Sequence, residues 1–535
     1  MRQFSRASAA GLLGTTLLAA LLSSTALAAA EVVLHRGNGG EPQTLDQAHT
    51  SIDVEANVLK DLYEGLTVYD PAGKVIPGAA ESWTISDDKT VYTFKIRDNA
   101  KWSDGSPVTA EDFAFSFRRL QDPKEAAGYA NLTYVFKNAE AINTKGMGVD
   151  QLGVKAVDAK TLEITLERPT PYLLELLAHQ SALPVNKASV EKNGPDFVKP
   201  GVMVSNGAFK LTENVANDRI VVTKNENYWD AANVKLDKVV FYPLEDQAAA
   251  VRRFQAGELD VNYYFPTDQT DFLRKELGDQ VHMSASLASY YYVFDTRQEP
   301  FNDVRVRKAL SMAIDREFLS HEIFQDGQIP LYSAVPPGIA SYGEPEKVDY
   351  AAMDQLDRED KAKELLKEAG WGEGGKPLKI DIRYNTNANH EKVATAVADN
   401  WKSLGATVTL TNLDVKSHYA YLQEGGAFNV ARAGWTADYA DAESFLGLNI
   451  STNKTFNYAK WSNPKYDELM AQSYTETDPA KRSALLHEAE KILLAEEPIS
   501  TLMVFGSPWL VSNKVKGWQD NPVNDHLSRF LSKEQ

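Results

Sequence analysis

The chain has 535 residues, of which 56 are Lys or Arg and 74 are Asp or Glu, so its formal charge is −18 at pH 7. An acidic surface argues against a nucleic-acid ligand, which requires a basic footprint, and it suits a soluble protein that diffuses as a monomer. The absence of cysteine excludes thiol catalysis and Cys-ligated zinc. Because a single core stops growing at ~250–300 residues, we expect more than one domain.

The first thirty residues have the pattern of a secretory signal peptide. Arg2 and Arg6 form a basic start, and residues 11–22 are apolar. Residues 26–28 (Ala-Leu-Ala) form a small-x-small cleavage site, with residues 28–30 (Ala-Ala-Ala) as an alternative. No other long uncharged apolar run follows, so we expect no membrane-spanning helix. Since there is no cysteine to carry a lipid, we predict a free periplasmic protein from which the signal peptide, residues 1–30, is removed.

The first predicted elements are a strand and a helix. In residues 89–102 apolar and polar side chains alternate, which predicts a half-buried strand. Thr109 followed by Asp112 three residues later is the pattern of a capping box, so a helix is expected to begin there. Residues 160–169 alternate in the same way and end at Pro169, which predicts a second strand.

Towards the C-terminus two helices and one strand are predicted. Residues 358–371 place an apolar stripe on one helix face and end at a glycine, and residues 477–498 form a long helix with Asp478 as its N-cap. Residues 428–431 are apolar and predict a strand whose pattern breaks at Gly434. The composition does not change sharply anywhere along the chain, which favours interleaved domains between which the chain crosses more than once.

The chain carries no complete catalytic, metal or cofactor motif. Residues 370–377 (GWGEGGKP) fit G-x-G-x-x-G, but they follow a helix and precede a strand, whereas a phosphate loop follows a strand and opens a helix. Neither H-E-x-x-H nor G-x-S-x-G occurs, and the nine histidines are scattered. We therefore expect no catalytic residue, no metal and no cofactor.

One run concentrates the chemistry of binding. Residues 428–445 (FNVARAGWTADYADAESF) contain Arg432, Trp435 and Asp438 within seven positions. A cation, an indole face and a carboxylate directly after a strand indicate a binding site. Asp438 and Asp441 also leave an enzyme alternative open, a secreted glycosidase, because a retaining glycosidase needs two carboxyl groups ~5–5.5 Å apart.

Seven stretches beyond the signal peptide carry a family resemblance. They are PQTLDQ, AAESWTISDDKTVYTFKIRDNAKWSDGSPVTAEDF, VSNGAFKL, NYWD, SYYYVFDTRQEPFNDVRVRKALSMAIDR, YNTNANHEKVA and ARAGWTADYADAESFL. Together they resemble the periplasmic oligopeptide-binding proteins of solute-binding protein family 5. The resemblance implies a non-enzymatic receptor that captures short peptides and delivers them to an inner-membrane ABC transporter permease. A murein peptide, an opine-like compound and a nickel chelate remain alternative ligands for the same fold.

The resemblance also implies the fold. It is α/β, of the periplasmic binding protein type, with two lobes around a hinged cleft and an extra third domain. The implied boundaries are residues 31–63 with 188–287 and 507–535 for lobe I, residues 64–187 for the extra domain II, and residues 288–506 for lobe III.

Nine site residues follow from the resemblance and from the chemistry of a peptide. Pairing with the ligand main chain gives affinity without sequence choice, and a carboxylate can hold the ligand ammonium by a charge-assisted bond. The implied roles are Asp438 for the ammonium; Gly434, Trp435 and Thr436 for a strand edge along the ligand, with Asp53 at the opposite edge; Tyr129 near the first ligand residue; Arg432 and His390 for the ligand carboxylate; and Tyr291 in the cleft wall.

Two features depart from the family pattern. The best-known oligopeptide receptors pair a cysteine beside the Tyr-Tyr-Tyr run with one in the ligand strand, and these positions are Ala288 and Thr436 here, so the cross-link is absent. Phe324 stands where the family has a lysine that serves ligand carboxylates. We therefore expect the range of accepted peptide lengths to differ from that of the family.

Overall fold

The computed structural model describes residues 31–50, 52–324 and 328–534, without the side chains of residues 267, 415 and 416. The predicted signal peptide lies outside the described residues. Contacts within the chain divide it into Met1–Glu31 and Val32–Gln535, and every described helix and strand belongs to the second of these units.

Strands and short-to-medium helices alternate along the described chain. The strands are β1 (Val33–Gly37), β2 (Thr67–Tyr69), β3 (Val75–Pro77), β4 (Ala80–Ile85), β5 (Val91–Ile96), β6 (Val154–Ala156), β7 (Thr161–Thr165), β8 (Phe209–Val215), β9 (Arg219–Lys224), β10 (Lys238–Tyr242), β11 (Val261–Tyr263), β12 (Val281–Phe294), β13 (Ile329–Pro330), β14 (Lys379–Asn385), β15 (Thr407–Leu413), β16 (Val430–Thr436), β17 (Ile499–Val511), β18 (Val515–Lys516) and β19 (Ser532–Lys533). The α-helices are α1 (Asp53–Leu62), α2 (Ala110–Gln121), α3 (Ala139–Lys145), α4 (Leu173–Leu176), α5 (Lys187–Asn193), α6 (Gln247–Gln255), α7 (Thr270–Leu277), α8 (Val304–Met312), α9 (Arg316–Phe318), α10 (Gln355–Ala369), α11 (Ala388–Lys402), α12 (Val415–Gln423), α13 (Glu443–Leu446), α14 (Pro464–Thr475) and α15 (Pro479–Glu496).

Eleven of the described strands form one large sheet in the order β15-β14-β16-β12-β17-β11-β1-β10-β9-β8, with β13 paired to β17. One half of this sheet comes from residues 379–436 and the other half from β1 and residues 209–263. The central strands β12 and β17 are antiparallel neighbours of 14 and 13 residues. Because each contributes to both halves, these two strands connect them.

The pairing between β12 and β17 is interrupted in its middle. Residues 281–285 pair with residues 506–510, residues 289–293 pair with residues 499–504, and the register shifts between the two blocks. A sheet is locally disrupted at such an irregularity because ladder hydrogen bonds are missing there. The lobe boundaries implied by the resemblance, at 287/288 and 506/507, lie beside this interruption and stay a prediction.

A separate sheet of order β4-β5-β7-β6 lies between residues 80 and 165. The alternating residues of β5 are buried, which confirms the strand predicted in residues 89–102, and β7 confirms the strand predicted in residues 160–169. At the start of α2 the Thr109 hydroxyl accepts from the Asp112 N–H, and the Asp112 carboxylate accepts from the Thr109 N–H at 2.9 Å. The predicted capping box is therefore confirmed.

The two helices predicted towards the C-terminus are confirmed as α10 and α15. Gly370 ends α10 with a left-handed φ of 81°, a conformation that costs glycine little because it has no Cβ. Asp478 caps α15 by accepting from the N–H groups of Ala480 and Lys481. Both helices thus begin or end at the residues that the local pattern indicated.

The strand predicted at residues 428–431 is longer than expected and begins later. It is β16, which runs from Val430 through Gly434 to Thr436. Gly434 breaks the pattern of side chains but does not end the strand, because it pairs with Tyr290 of β12 in an uninterrupted ladder. Backbone pairing of this kind needs no side chain, so a glycine does not end the strand.

The described residues bury their apolar side chains in several clusters. One includes Phe94, Trp102 and Val239, a second includes Tyr292 and Trp401, and a third surrounds Tyr466, Leu486 and Leu493. The first cluster takes its members from β1, the four-stranded sheet and β8 to β11, whereas the other two come from residues 287–503. Each half of the large sheet therefore has packing of its own.

Candidate ligand-binding site

A cavity of about 800 Å³ opens beside the interruption between β12 and β17. Its wall includes the start of α1, residues 286–288 of β12, residues 436–440 after β16, residues 505–508 of β17 and residues 522–525. Both halves of the large sheet contribute to this wall, so the cavity lies between them. Ligand sites occur preferentially at such junctions between domains.

Four of the nine predicted site residues line this cavity: Asp53, Tyr129, Thr436 and Asp438. They come from α1, from the segment before residue 130, from the last position of β16 and from the loop that follows it. The other five, Arg432, Gly434, Trp435, Tyr291 and His390, do not belong to the lining of this cavity.

Asp438 is a carboxylate that has a hydrogen bond but no cation. Its Oδ1 atom accepts a 2.8 Å hydrogen bond from the Tyr129 hydroxyl. Burial raises the pKa of Asp438, and the bond from Tyr129 acts in the opposite direction. Among the described residues no Lys or Arg forms an ion pair with this group. A partly buried carboxylate without a counterion favours a cationic ligand group.

Tyr129 is held from its other side by an aromatic ring. The ring of His179 stacks on it with centroids 5.1 Å apart and an angle of 18° between the planes. Burial and the neighbouring Asp438 raise the pKa of the Tyr129 hydroxyl, so it remains a neutral hydrogen-bond donor. The contact fixes the donor that orients Asp438.

The end of β16 has one paired edge and one open edge. Gly434, Trp435 and Thr436 pair with Tyr290, Ser289 and Ala288 of β12. On the other side, β14 pairs only with residues 430 and 431, so in the described part of the chain no strand continues along residues 434–436. An open edge of this kind can pair with an extended peptide.

Asp53 is exposed at the first position of α1. Its Oδ2 atom accepts a 2.8 Å hydrogen bond from the Tyr263 hydroxyl, whose oxygen lies 2.7 Å from the hydroxyl oxygen of Tyr264. A carboxylate at a helix N-terminus is stabilised by the helix dipole. The structure thus places Asp53 on the cavity wall, beside the side chain of Tyr263.

A second group of predicted residues surrounds the ring of Tyr290. The Arg432 guanidinium carbon lies 4.6 Å from the ring centroid, and the rings of His390 and Phe324 lie 5.4 Å and 6.0 Å away. All four side chains are buried. Arg432 and His390, which the sequence analysis assigns to the ligand carboxylate, are therefore neighbours of one tyrosine, together with Phe324.

Arg432 is a buried cation that forms no ion pair with a carboxylate of the described residues. Its Nη1 atom donates to the Asn385 side-chain oxygen at 3.2 Å and to the Tyr419 hydroxyl at 2.8 Å, while Nε has no hydrogen-bond partner among the described atoms. Burial, and after it the charge of Arg432, lowers the pKa of His390 to about 3. The group thus combines a fixed cation with a neutral imidazole, which suits an anion.

Gly434 leaves the space that this guanidinium occupies. A Cβ atom on Gly434 would lie 3.1 Å from Arg432 Nη2 and 3.2 Å from the Ser289 carbonyl oxygen. These distances are shorter than ordinary carbon contacts. A larger residue at position 434 would therefore displace the arginine.

Trp435 and Tyr291 are held by packing within the fold. Trp435 donates from Nε1 to the Ser444 hydroxyl at 3.1 Å, and its ring meets Phe456 edge-on. Tyr291 is 5 % exposed and packs in the cluster around Tyr466. Tyr291 does not belong to the lining of the cavity, and its neighbours Tyr290 and Tyr292 pack on the opposite face of β12.

The two carboxylates of the glycosidase alternative differ in their surroundings. Asp441 is buried and forms a two-bond ion pair with Arg482, at 2.7 Å for each bond. The Glu443 N–H also donates to it. Asp441 is therefore bonded to Arg482 and to the main chain of the protein itself, whereas Asp438 faces the cavity.

The two positions of the absent cross-link lie side by side in the sheet. Ala288 of β12 and Thr436 of β16 are direct partners in the strand register, and both line the cavity. Side chains at opposed positions of antiparallel strands are close enough to interact. The two positions at which the family carries cysteines are thus adjacent here without a covalent link.

Sequence reasoning missed three residues of this region. Tyr290 and Tyr292 lie on the same face of β12, since side chains alternate along a strand. In the register of β12 with β16, Tyr292 is the partner of Arg432 and Tyr290 is the partner of Gly434. Glu175 and His179 both line the cavity. The only signal for Glu175 was a lone carboxylate in the apolar run PYLLELLA.

Two further properties concern the described residues as a whole. They contain no cluster of three or more His, Asp or Glu side chains that could hold a metal ion. None of their helices is both long and apolar enough to cross a membrane.

Two sheet halves joined by two long strands around a cavity define a two-lobed solute-binding protein. Comparison with known families agrees, since residues 74–457 match the bacterial extracellular solute-binding proteins, family 5, middle region. The chain belongs to this family. The predicted family and its α/β fold, with two lobes around a cleft and a third domain, are therefore confirmed.

Two relatives illustrate the similarity. The periplasmic murein peptide-binding protein MppA of Escherichia coli is 40% identical over 495 residues, which cover 92% of this chain and 91% of the relative. A structure titled as the unliganded open form of MppA has a TM-score of 0.88 at 39% identity and covers 94% of this chain and 98% of its own.

The second relative is the periplasmic oligopeptide-binding protein OppA of Haemophilus influenzae. It is 38% identical over 495 residues, which cover 92% of this chain and 91% of the relative. Its structure in complex with the peptide RPPGFSPFR has a TM-score of 0.71 at 36% identity and covers 94% of this chain and 99% of its own.

Proposed function

We propose that this protein is a periplasmic receptor that captures short peptides in the cavity between its two lobes and delivers them to an inner-membrane ABC permease. The relatives described above are named as binding proteins for murein peptides and oligopeptides. Both ligands belong to one chemical class, a short peptide with charged ends. Their periplasmic location agrees with the location predicted from the N-terminal sequence.

The observation that carries the proposal is the state of Asp438. It is a partly buried carboxylate on the cavity wall, with a neutral hydrogen-bond donor, Tyr129, and no cationic partner among the described residues. A peptide ammonium is positively charged below its pKa of ~8 and can donate to this carboxylate. The open edge of residues 434–436 lies directly before Asp438 in the chain and can pair with the ligand main chain.

The other ligand end requires a cation. Arg432 supplies one, buried and without a carboxylate partner in the described part of the chain, with His390 and Tyr290 beside it. An unpaired buried charge is costly, and a ligand carboxylate would offset that cost. Because Arg432 and Gly434 belong to the same strand, a peptide along the edge of β16 would run between the two charged groups.

The similarity of the structure to the two relatives favours an open arrangement of the lobes. The TM-score is 0.88 against the unliganded open form of MppA and 0.71 against OppA with bound peptide. The sequence identities are nearly equal, at 39% and 36%, so divergence of sequence does not account for the difference. A rotation of the lobes about the interruption between β12 and β17 would account for it.

The proposal includes no catalysis, no cofactor and no nucleic acid, and it describes a monomer. Asp441, which would be the second carboxylate of a glycosidase, is paired with Arg482 by two hydrogen bonds. Because both of its carboxylate oxygens accept hydrogen bonds from Arg482, Asp441 does not offer a free nucleophile. The acidic charge of −18 disfavours a polyanionic ligand.

The test is calorimetry on ligand-free protein with trialanine and with N-acetyl-trialanine. We expect trialanine to bind and the acetylated peptide to bind at least tenfold more weakly, because acetylation removes the charge that Asp438 would hold. Equal affinities would contradict the role of Asp438. Binding of aryl glycosides with turnover, and no binding of either peptide, would contradict the receptor itself.

A further inference from the structure

Glu175 has a carboxylate on the wall of the same cavity. It belongs to the one-turn helix α4 and lies among leucines in the chain. Its Oε2 atom is buried and has no hydrogen-bond partner among the described atoms. Buried polar atoms are satisfied in the great majority of cases, so an orphan carboxylate oxygen in a cavity wall calls for a ligand group.

The charged neighbours of Glu175 do not neutralise it. Arg482 attracts it, but both terminal nitrogens of that arginine are bonded to Asp441, and Asp441 in turn repels Glu175. Lys60, the cation that shares the cavity wall, is paired with Asp525 at 2.7 Å. The remaining titratable neighbours are two buried tyrosines, Tyr69 and Tyr92, and the ring of His179.

Glu175 shares the cavity wall with the residues beside the site proposed for the ligand ammonium. His179 follows it four positions later in the chain and stacks on Tyr129. Tyr129 in turn donates to Asp438. Asp438 and Glu175 therefore line the same cavity, together with the stacked rings of Tyr129 and His179.

We propose that Glu175 binds a second cation of the ligand, so that the cavity prefers peptides whose first residue has a lysine-type side-chain amine. This inference rests on the proposed function and adds a ligand preference to it. Asp438 takes the ammonium of the main chain, and Glu175 takes the side-chain ammonium of the same residue. Lysine suits this geometry because its amine sits at the end of a flexible stem with three rotatable donors.

The experiment compares lysine with norleucine, which has the same number of side-chain carbons as the lysine stem and carries no charge. Affinities of Lys-Ala-Ala and norleucine-Ala-Ala are measured by calorimetry at pH 8 on ligand-free wild type, Glu175→Gln and Glu81→Gln. Glu81 is an exposed carboxylate of the four-stranded sheet, so its variant removes the same charge elsewhere. Ala-Ala-Lys and Ala-Ala-norleucine test the position in the ligand.

We expect wild type and Glu81→Gln to prefer Lys-Ala-Ala over its norleucine analogue by about ten- to a hundredfold, as for a charge-assisted hydrogen bond. Glu175→Gln should reduce the preference to less than threefold while it retains the affinity for norleucine-Ala-Ala. Lysine in the third position should bring no advantage.

Three outcomes would overturn the proposal. Equal affinities of wild type for the two first-position peptides would exclude a second cation site, with the receptor function left intact. A preference that persists in Glu175→Gln would assign it to another group. If no peptide binds to any variant, the receptor function fails and this inference fails with it.

Discussion

The hydroxyl of Tyr129 donates a 2.8 Å hydrogen bond to the carboxylate of Asp438, a residue 309 positions later in the chain. Tyr129 lies between β5 and β6 of the four-stranded sheet, and Asp438 lies in the loop that follows β16. The bond therefore connects these two parts of the chain. A neutral donor orients the carboxylate without cancelling its charge. Asp438 therefore retains the capacity to bind an ammonium, and the proposed function depends on this.

Asp438→Asn is expected to weaken peptide binding by roughly 2–5 kcal/mol, because the ligand ammonium would be enclosed without a counter-charge. Stability should not fall, since burial already raises the pKa of Asp438 and the substitution removes a charge that the fold does not neutralise. Calorimetry with trialanine and a thermal melt check the two parts. An affinity within twofold of wild type would remove Asp438 from the site.

Asp441→Asn should have the opposite profile. It leaves the buried Arg482 without its two-bond partner, and the loss of one member of a buried ion pair costs about 3–5 kcal/mol of stability. The melting temperature should fall by several degrees, while a protein that remains folded should bind trialanine with little change. A loss of affinity with unchanged melting temperature would indicate that Asp441 contacts the ligand.

Closure of the lobes on ligand should be visible in solution. If the structure corresponds to the open arrangement, saturating trialanine should reduce the radius of gyration measured by small-angle scattering on ligand-free protein. The same peptide should raise the melting temperature by mass action. An unchanged radius of gyration, together with a raised melting temperature, would show binding without closure.

Phe324 should restrict the lengths of peptide that bind. The ring lies against Tyr290, on which Arg432 and His390 also pack, so this position offers apolar contact and no charge. A ligand carboxylate directed at it would remain unpaired, at a cost. Phe324→Lys should therefore gain affinity for one peptide length in a series of two to six alanines and change little for the others.

The control for this series is Phe324→Met, which keeps an apolar side chain of adaptable shape. It should leave the length profile as it is in wild type. A uniform change across all lengths in Phe324→Lys, or none at any length, would show that position 324 does not meet the ligand carboxylate. A reduced melting temperature is expected for the lysine variant because the new cation lies near Arg432.

Glu175 should make stability depend on pH. Burial, and then repulsion by Asp441, raises its pKa from 4.5 to about 7. Between these values the unfolded chain loses the proton and the folded protein keeps it, so the contribution of Glu175 to stability is full below pH 4.5 and is lost as the pH rises through 7. Glu175→Gln removes this loss.

The measurable quantity is the stability of Glu175→Gln minus that of wild type across the pH range. It should increase by about 2–3 kcal/mol between pH 4.5 and 8, seen as a growing difference in melting temperature. Glu81→Gln, at an exposed position of β4, should show a difference that does not change with pH. A flat difference for Glu175→Gln would mean that its carboxyl titrates as in water.

The sequence by itself determined the local elements, because their signals lie within a few residues. The capping box of Thr109 and Asp112, the helix end at Gly370 and the cap at Asp478 depend only on neighbouring backbone groups. The family also followed from short stretches of sequence that resemble it. Asp438 was selected in the same way, from its place in GWTADY, and its role in binding stays a prediction that the structure motivates.

The tertiary structure alone decided which residues meet. The choice between Tyr290 and Tyr291 depends on which face of β12 the second core cluster occupies, and the extent of β16 depends on its pairing with β12. Arg482, which donates to the Asp441 carboxylate, is 41 residues away in the chain. That Glu175 Oε2 has no hydrogen-bond partner among the described atoms is likewise a result of packing. Such partners are selected by packing over long distances in sequence, where local propensity carries no information.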